Sequence, residues 1–151
     1  ILMLRISKIA DYGTKIMLAL AEHPNALHTA NELSEMTRIS LPTVSKILKI
    51  LLKGNLLTSQ RGSQGGYQLI KAADAITLAQ IVNVLDGEIT MTECERQMGC
   101  CQIEEGCNVK DNWSVISSVI VDVLQNISLA QMSKPIITTD IPVKFYQRIH
   151  A

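Results

Sequence analysis

The sequence has few aromatic side chains and no long hydrophobic run. Phe, Tyr and Trp make up 3% of the 151 residues, so the core must be built mainly from aliphatic side chains. No apolar segment approaches the ~20 residues that a membrane-spanning helix requires, and we expect a soluble cytoplasmic protein with no membrane partner. Hydrophobic residues make up 47% and charged residues 19%, a balance that argues against intrinsic disorder.

The chain also has no net charge, because 14 basic residues balance 14 acidic residues. The balance hides a division between the two halves of the sequence. Residues 1–71 carry a net charge of +5, whereas residues 72–151 carry −5. Such asymmetry is typical of a module that faces a polyanion and is joined to a second part.

The first half has the pattern of three helices. The spacing of apolar residues predicts a helix over residues 7–22. Thr29, with Glu32 three residues later, predicts a capping box and a short second helix. A third helix is expected to be capped by Ser40, with Pro42 in its first turn. The predicted buried stripe of the third helix is Val44, Ile47, Leu48 and Leu51.

A hairpin follows the three helices. Residues 56–60 and 67–70 are predicted strands, and the tip between them contains three glycines that can take the positive φ needed by turns. This order of elements is typical of a winged helix-turn-helix. The sequence therefore predicts a mainly α fold with a winged helix-turn-helix domain (three helices plus a two-stranded wing), and double-stranded DNA as its partner.

The third helix of such a domain enters the major groove with its N-terminal end toward the bases. Hydroxyl groups there bond to base edges or phosphates, and lysines neutralise phosphates. An Arg at the head of the wing can enter the narrow minor groove. The predicted DNA-binding residues are Ser40, Pro42, Thr43, Ser45, Lys46, Lys49 and Arg61.

The second half is predicted to contain a long dimerisation helix. Thr77 caps a fourth helix, a loop spans residues 88–110, and Asp111 is expected to cap a helix that runs to about Leu129. Its apolar stripe is wide, and a two-fold homodimer would bury it while placing two recognition helices about 34 Å apart on a pseudo-palindromic operator. Packing within one chain is the alternative. The predicted regions are 3–71 (DNA binding), 72–133 (cysteine loop and dimerisation helix) and 134–151 (tail or arm).

All four cysteines lie in one loop, at positions 94, 100, 101 and 107. Glycines in this loop would let the backbone turn the sulfurs inward around a metal. Zinc sites usually contain CxxC pairs, and none occurs here, whereas spacings of five or six residues suit the wider iron–sulfur cluster. The residues alone leave three interpretations open: cluster ligands, a thiol redox switch or zinc site, and inert cysteines.

Several motifs point to one family. They are the Leu4-Arg5-Ile6-Ser7 start, the Ile39-Ser40-Leu41 start of the third helix, the Arg61-Gly62-Ser63-Gln64-Gly65-Gly66-Tyr67 wing and the cysteine loop. With them, residues 3 to about 132 resemble the iron–sulfur transcriptional regulators of the Rrf family, which includes the IscR and NsrR types. Ile103-Glu104 and Asn112-Trp113 are most similar to the branch that regulates SUF-type cluster assembly genes.

The resemblance implies a homodimeric regulator whose DNA binding depends on a bound iron–sulfur cluster, either 2Fe–2S or 4Fe–4S. The family uses three cysteine ligands, and this chain has four cysteines. Cys94 and Cys107 fall at the outer ligand positions. Cys101 is expected at the middle position, with Cys100 as the alternate ligand.

The resemblance also leads to a hypothesis for the fourth ligand. IscR-type members place a His three residues after the last cysteine, where this chain has Lys110, and a protonated Lys is not a ligand. In the NsrR type, an Asp before the first-helix Tyr completes the cluster of the other subunit. Asp11 precedes Tyr12 here, so we expect Asp11 of the partner subunit to be the ligand, with a solvated surface carboxylate as the alternative. The histidines match no ligand position and are expected at the surface: His23, His28 and His150.

No pattern of catalytic residues is present. The glycine-rich tip lacks the Lys-Ser/Thr that follows a nucleotide-binding loop, and no Cys/His pair has an informative spacing. We therefore expect a regulator rather than an enzyme, with repression by the cluster-loaded dimer as the leading hypothesis. The alternatives are a winged-helix regulator that uses thiol redox chemistry or zinc without iron, and an iron–sulfur carrier whose basic half is incidental.

Overall fold

A computed structural model of the chain describes residues 5–92, 95, 107 and 109–137. The elements in chain order are α1 (Lys8–Glu22), α2 (Ala30–Thr37), α3 (Leu41–Lys53), β1 (Leu57–Gln60), β2 (Gly66–Leu69), a short 3-10 turn (Ala73–Ala75), α4 (Leu78–Asp86), α5 (Lys110–Gln125) and α6 (Leu129–Met132). The predicted mainly α architecture with a two-stranded wing is confirmed.

α1 is fixed to α4 at its start. The Ser7 hydroxyl accepts a hydrogen bond from Ala10 N at 3.1 Å and so caps the helix. The same hydroxyl and the Ser7 N–H donate to the carboxylate of Asp86, the last residue of α4. Gly13 allows the two helices to approach, because a Cβ there would lie 2.3 Å from Leu85 Cδ1.

The α2–α3 pair forms as the sequence predicts, with one exception. Thr29 N donates to Glu32 Oε2 at 2.7 Å and Glu32 N donates to Thr29 Oγ1 at 3.2 Å, which confirms the capping box. All four residues of the predicted α3 stripe are buried. The exception is Ser40, which occupies the N-cap position of α3 but makes no capping hydrogen bond through its side chain.

The wing is an antiparallel hairpin in which Leu57 pairs with Leu69 and Gln60 with Gly66. The predicted strand 56–60 begins one residue too early, and the predicted strand 67–70 begins and ends one residue too late. Beyond the ladder, Ile70 N still donates to Leu56 O at 3.1 Å. The hairpin therefore continues slightly past its assigned strands.

The chain after α5 returns to the first half of the molecule. Leu78 N donates to Ile127 O at 2.9 Å, and Leu129 N donates to Ile76 O at 2.8 Å. α6 then packs against α1 and the 3-10 turn. One hydrophobic core combines the side chains of α1, α2 and α3 with Ile76, Leu78, Ile127 and Leu129. This core therefore contains residues from both sides of position 71.

α5 differs from the helix that the sequence predicts. It ends at Gln125 rather than at about Leu129. The side-chain amide of Asn126 donates to Asp122 O at 2.7 Å, which competes with continuation of the helix, and Ser128 caps α6. Asp111 is not the cap of α5, because the N-cap position is Val109 and Asp111 lies in the first turn.

Candidate functional site

α3 presents a polar face to solvent opposite its buried stripe. Pro42, Lys46 and Lys49 are exposed, and Thr43 and Ser45 are half-buried beside them. Positions 42, 46 and 49 are three to four residues apart, so they share one face of the helix. The polar residues predicted to contact DNA from α3 therefore lie on or next to a single open face.

The N-terminus of α3 has no side-chain cap. Ser40 Oγ and Thr43 Oγ1 are hydrogen-bonded to each other at 2.8 Å, and no side-chain oxygen of Ser40 accepts from the first-turn N–H groups. Because Pro42 has no N–H, the first turn holds few donors, yet the positive end of the helix dipole remains uncapped. Such an end favours an anion such as a DNA phosphate, with two hydroxyls beside it.

The tip of the wing exposes Arg61 on a tightly constrained turn. Gly62 has φ 116°, as expected for a glycine tip, and Gly65 N donates to Gly62 O at 3.1 Å. The expectation of positive φ is wrong for Gly65, which has no positive φ. A side chain is excluded there for another reason, since a Cβ would lie 2.2 Å from Gln60 O.

His28 is a structural residue that the sequence did not indicate. Its N–H donates to Tyr67 O at 3.0 Å and its carbonyl accepts from Tyr67 N at 2.8 Å, so the segment before α2 pairs with β2 and holds the wing. The expectation of a surface position is wrong for His28, because its side chain is only 14% exposed. Gly66 is required at this contact, since a Cβ there would lie 2.7 Å from the His28 backbone.

Among the described residues, no carboxylate forms an ion pair with the positive charges of this surface. In the described part of the chain, Lys15 forms an ion pair with Asp11 at 3.9 Å, and His28 Nδ1 lies 3.8 Å from Glu32 Oε2. Neither pair includes a cation of α3 or the wing tip, so the positive potential remains available to a polyanion. The exposed cations that form no ion pair with any described residue include Arg38, Lys46, Lys49 and Arg61.

One of the four cysteines lies within the described residues. Cys107 is a half-buried free thiol just before α5, and Lys110 N donates to its carbonyl at 3.4 Å. A thiol is the donor that iron–sulfur clusters take, so this residue fits the predicted ligand chemistry. Cys94, Cys100 and Cys101 lie outside the described residues. The described residues by themselves contain no group of three His, Cys, Asp or Glu that could hold a metal ion.

Glu95, the residue after Cys94, is anchored to α5. Its Oε2 accepts from Ser117 Oγ at 2.8 Å and from Met91 N at 3.0 Å. Desolvation raises the pKa of Glu95. Hydrogen bonds from Ser117, Ser114 and the backbone of Met91 and Thr92 lower it by more, so the pKa lies below its ordinary value. Ser117 is 5% exposed and is the buried residue of α5.

The rest of α5 shows an uncovered apolar face. Val109, Trp113 and Ile116 follow a four- and three-residue spacing and share one side of the helix. They are 54%, 39% and 42% exposed, respectively. An apolar face of this kind usually marks an interaction surface. On α1, the predicted ligand Asp11 is also exposed, and its carboxylate forms a long ion pair with Lys15 at 3.9 Å.

Three helices with an open polar face on the third, followed by an Arg-tipped wing, define a winged-helix DNA-binding regulator. The family model described as "Rrf2: Iron-dependent Transcriptional regulator" matches residues 6–135. The chain therefore belongs to the Rrf2 family, and the resemblance noted in the sequence is confirmed.

Individual relatives agree with this assignment. The HTH-type transcriptional regulator IscR of Erwinia tasmaniensis is 35% identical over 131 residues, which cover 85% of this chain and 78% of that protein. The structure of CymR, the global cysteine regulator of B. subtilis, matches with a TM-score of 0.69 and 28% identity over 87% of this chain and 97% of CymR. T. potens IscR matches with a TM-score of 0.65 and 27% identity over 86% of each chain.

The relatives are transcriptional regulators. This chain is accordingly a DNA-binding transcriptional regulator of the IscR type and not an enzyme, as the sequence predicts. Within residues 5–92 and 109–137, no helix combines the length and the apolar character needed to cross a membrane.

Proposed function

We propose that this chain acts as a homodimer that binds a pseudo-palindromic operator through α3 and the wing. The support is the open polar face of α3, its uncapped start and the exposed Arg61. In this arrangement α3 enters the major groove and the wing reaches the minor groove. The proposed DNA-binding residues are those predicted from the sequence: Ser40, Pro42, Thr43, Ser45, Lys46, Lys49 and Arg61.

α5 is the proposed dimerisation element. Its exposed apolar stripe at Val109, Trp113 and Ile116 has no covering segment among the described residues. A two-fold axis beside α5 would bury the same stripe from both subunits, as isologous dimer interfaces do. The two copies of α3 would then be held at a fixed separation.

We further propose that the protein holds an iron–sulfur cluster and represses iron–sulfur assembly genes. The proposed ligands are Cys94, Cys101 and Cys107, with Cys100 as the alternate and Asp11 of the partner subunit as the fourth. The motif resemblance and the IscR relatives support this assignment, as does the exposure of Asp11. When bound, the cluster supplies iron–thiolate bonds that respond to iron supply or oxidants.

The proposed control of DNA binding follows from the positions of these ligands in the chain. Asp11 lies on α1, which packs against α2 and α3, while Cys107 directly precedes α5. A ligand set shared between two subunits therefore links the recognition helix of one subunit to the dimerisation element of the other. Coupling of this kind is typically worth ~1–3 kcal/mol, enough to change operator occupancy several-fold.

The single observation that carries the proposal is the grouping of four thiols directly before the uncovered α5 in an Rrf2-family chain. The test is anaerobic purification followed by counting of iron and acid-labile sulfide, and then mobility-shift titration of cluster-loaded and cluster-free protein. We expect bound iron and sulfide and an affinity that changes at least several-fold on cluster loss. Protein without either element, or equal affinities of both forms, would refute cluster control.

A second candidate is a thiol-based or zinc-bearing regulator without iron. It is favoured by the match to CymR of B. subtilis, which is described as the global cysteine regulator, and to CymR of Staphylococcus aureus, whose structure is known in an oxidised form. The fourth cysteine and the free thiol of Cys107 also suit this function. The visible spectrum of anaerobic protein separates the candidates, because a cluster absorbs in the visible range and a zinc or dithiol protein is colourless.

A further inference from the structure

The turn between α2 and α3 contains a strained residue. Arg38 ends α2 with φ 57° and ψ 30°, in the left-handed region. Residues other than Gly, Asn and Asp rarely adopt this conformation, because Cβ crowds the backbone. The Arg side chain does not stabilise this backbone conformation, whereas glycine would adopt it without strain.

The surrounding residues hold Arg38 in this conformation from both sides. Before it, Thr37 Oγ1 donates to Leu33 O at 2.6 Å. After it, Ser34 Oγ donates to Ile39 O at 2.6 Å. Leu33 and Ile39 are buried in the core, so both hydrogen bonds attach the turn to fixed points. Strain of this kind persists only where the surroundings determine the conformation, and it often marks a functional position.

The side chain of Arg38 makes no polar contact within the part of the chain that the structure describes. The residue is exposed, and its guanidinium forms no ion pair or side-chain hydrogen bond with any residue the structure describes. Even the nearby Glu35, one turn earlier on α2 and also exposed, makes no ion pair with it. The Arg therefore carries a backbone cost that no contact within the described chain offsets.

The position of the turn indicates what the Arg contacts. Arg38 lies two residues before Ser40, the N-cap of α3. When the start of a recognition helix enters the major groove, the preceding helix crosses the phosphate backbone. The connecting turn then lies at the groove edge. From the strain, the free guanidinium and this placement, we infer that Arg38 binds a phosphate of the operator and positions α3 in the groove.

The inference rests on DNA binding through α3, and the test separates the two. The probe is a labelled mixed-sequence duplex of about 30 base pairs, because phosphate contacts persist in non-specific binding. Binding is titrated at several salt concentrations for wild type, Arg38→Gly and Arg38→Lys. Thermal unfolding of each protein is measured in parallel.

Arg38→Gly is expected to raise Tm by roughly 2–4 °C, because the strain is removed. Its DNA affinity should fall about three- to tenfold, and the slope of log affinity against log salt concentration should decrease by about 0.9 per lost contact. Arg38→Lys keeps the charge and should retain the slope. Asn55 is the matched control, since it also has φ 57° but follows the other end of α3. Asn55→Gly should leave both affinity and slope unchanged.

Two results would overturn the inference. Arg38→Gly that binds like wild type would show that the guanidinium does not touch DNA. A lower Tm for Arg38→Gly would remove the strain on which the inference rests, because the left-handed conformation would then cost less than the chain entropy that glycine adds. If the wild-type protein itself does not bind the duplex, the proposed DNA binding through α3 is refuted, whatever the result for the Arg38 variants.

Discussion

At the scale of single residues, the wing depends on Arg61 for its charge and on neighbouring glycines for its shape. Gly62 takes a φ of 116°, and the tip carries the exposed guanidinium away from the hairpin. The sequence predicted that Arg61 stands at the head of the wing and that Gly62 takes a positive φ. It did not predict the pairing of His28 with Tyr67, because these residues are far apart in the chain and neither has a local signature.

Arg61→Ala should weaken DNA binding about three- to tenfold and flatten its salt dependence, because a phosphate or groove contact is lost. Affinity measured at several salt concentrations checks this. Lys134→Ala is the control, since it removes one positive charge at an exposed site after α6. If both variants lose affinity to the same extent, the effect reflects total charge and not a contact made by the wing.

At the scale of elements, Glu95 and Ser117 tie the cysteine region to α5. Both Met91 N and Glu95 Oε2 lie within hydrogen-bonding distance of Ser117 Oγ, at 3.1 Å and 2.8 Å. The sequence could not show this contact, because Ser117 lies within an apolar stripe and resembles an ordinary small helix residue. The pattern of Val and Ile did predict the element itself.

Ser117→Ala should destabilise the protein by about 1–3 kcal/mol, because the Glu95 carboxylate loses the hydrogen bond from the Ser117 hydroxyl, whereas Met91 N–H keeps its bond to Glu95 Oε2. Denaturant unfolding of the cluster-free protein measures this without any effect of the cofactor. Ser118→Ala should change stability by less than about 0.5 kcal/mol, since the Ser118 hydroxyl is exposed and donates to Val115 O of its own helix. Equal effects of the two substitutions would mean that the Ser117 contact does not hold the loop.

The apolar stripe of α5 leads to a prediction about assembly. Ile116→Glu should convert the proposed dimer to a monomer of 16.6 kDa, because the proposed interface would have to bury an unpaired charge. Light scattering after size exclusion gives the mass directly. Ser118→Glu places the same charge roughly 200° around the helix and should remain dimeric. Wild-type protein that is itself monomeric would remove α5 from the proposed role.

At the scale of the whole molecule, local signals were sufficient for elements but not for their long-range pairing. The capping boxes at Thr29 and Thr77 follow from short spacings and are both present. The bridge between Thr77 and Ser128 joins residues about fifty positions apart, and no sequence pattern marks it. Beside that bridge, Ile127 and Leu129 enter the same core as α1, α2 and α3, so the segment after α5 is packed against the first half of the molecule.

A ligand shared between subunits can be tested by complementation. Asp11→Ala and Cys107→Ala should each lower the iron and sulfide content of homodimers and shorten cluster lifetime. When the two variants are co-expressed with different tags and the mixed dimer is isolated, one complete site is restored only if Asp11 acts across the interface. We expect the mixed dimer to hold about one cluster, half the wild-type content, with the matching visible absorbance.

A ligand from the same subunit gives the opposite result, because each chain of the mixed dimer then lacks one ligand and no complete site exists. Iron content no higher than that of the homodimeric variants would therefore exclude Asp11 as a cross-subunit ligand. Lys15→Ala is the control for α1, since Lys15 is the residue that pairs with Asp11 at 3.9 Å. An exposed ion pair of this length contributes little to stability, so Lys15→Ala should leave cluster content unchanged and any loss seen with Asp11→Ala belongs to the carboxylate.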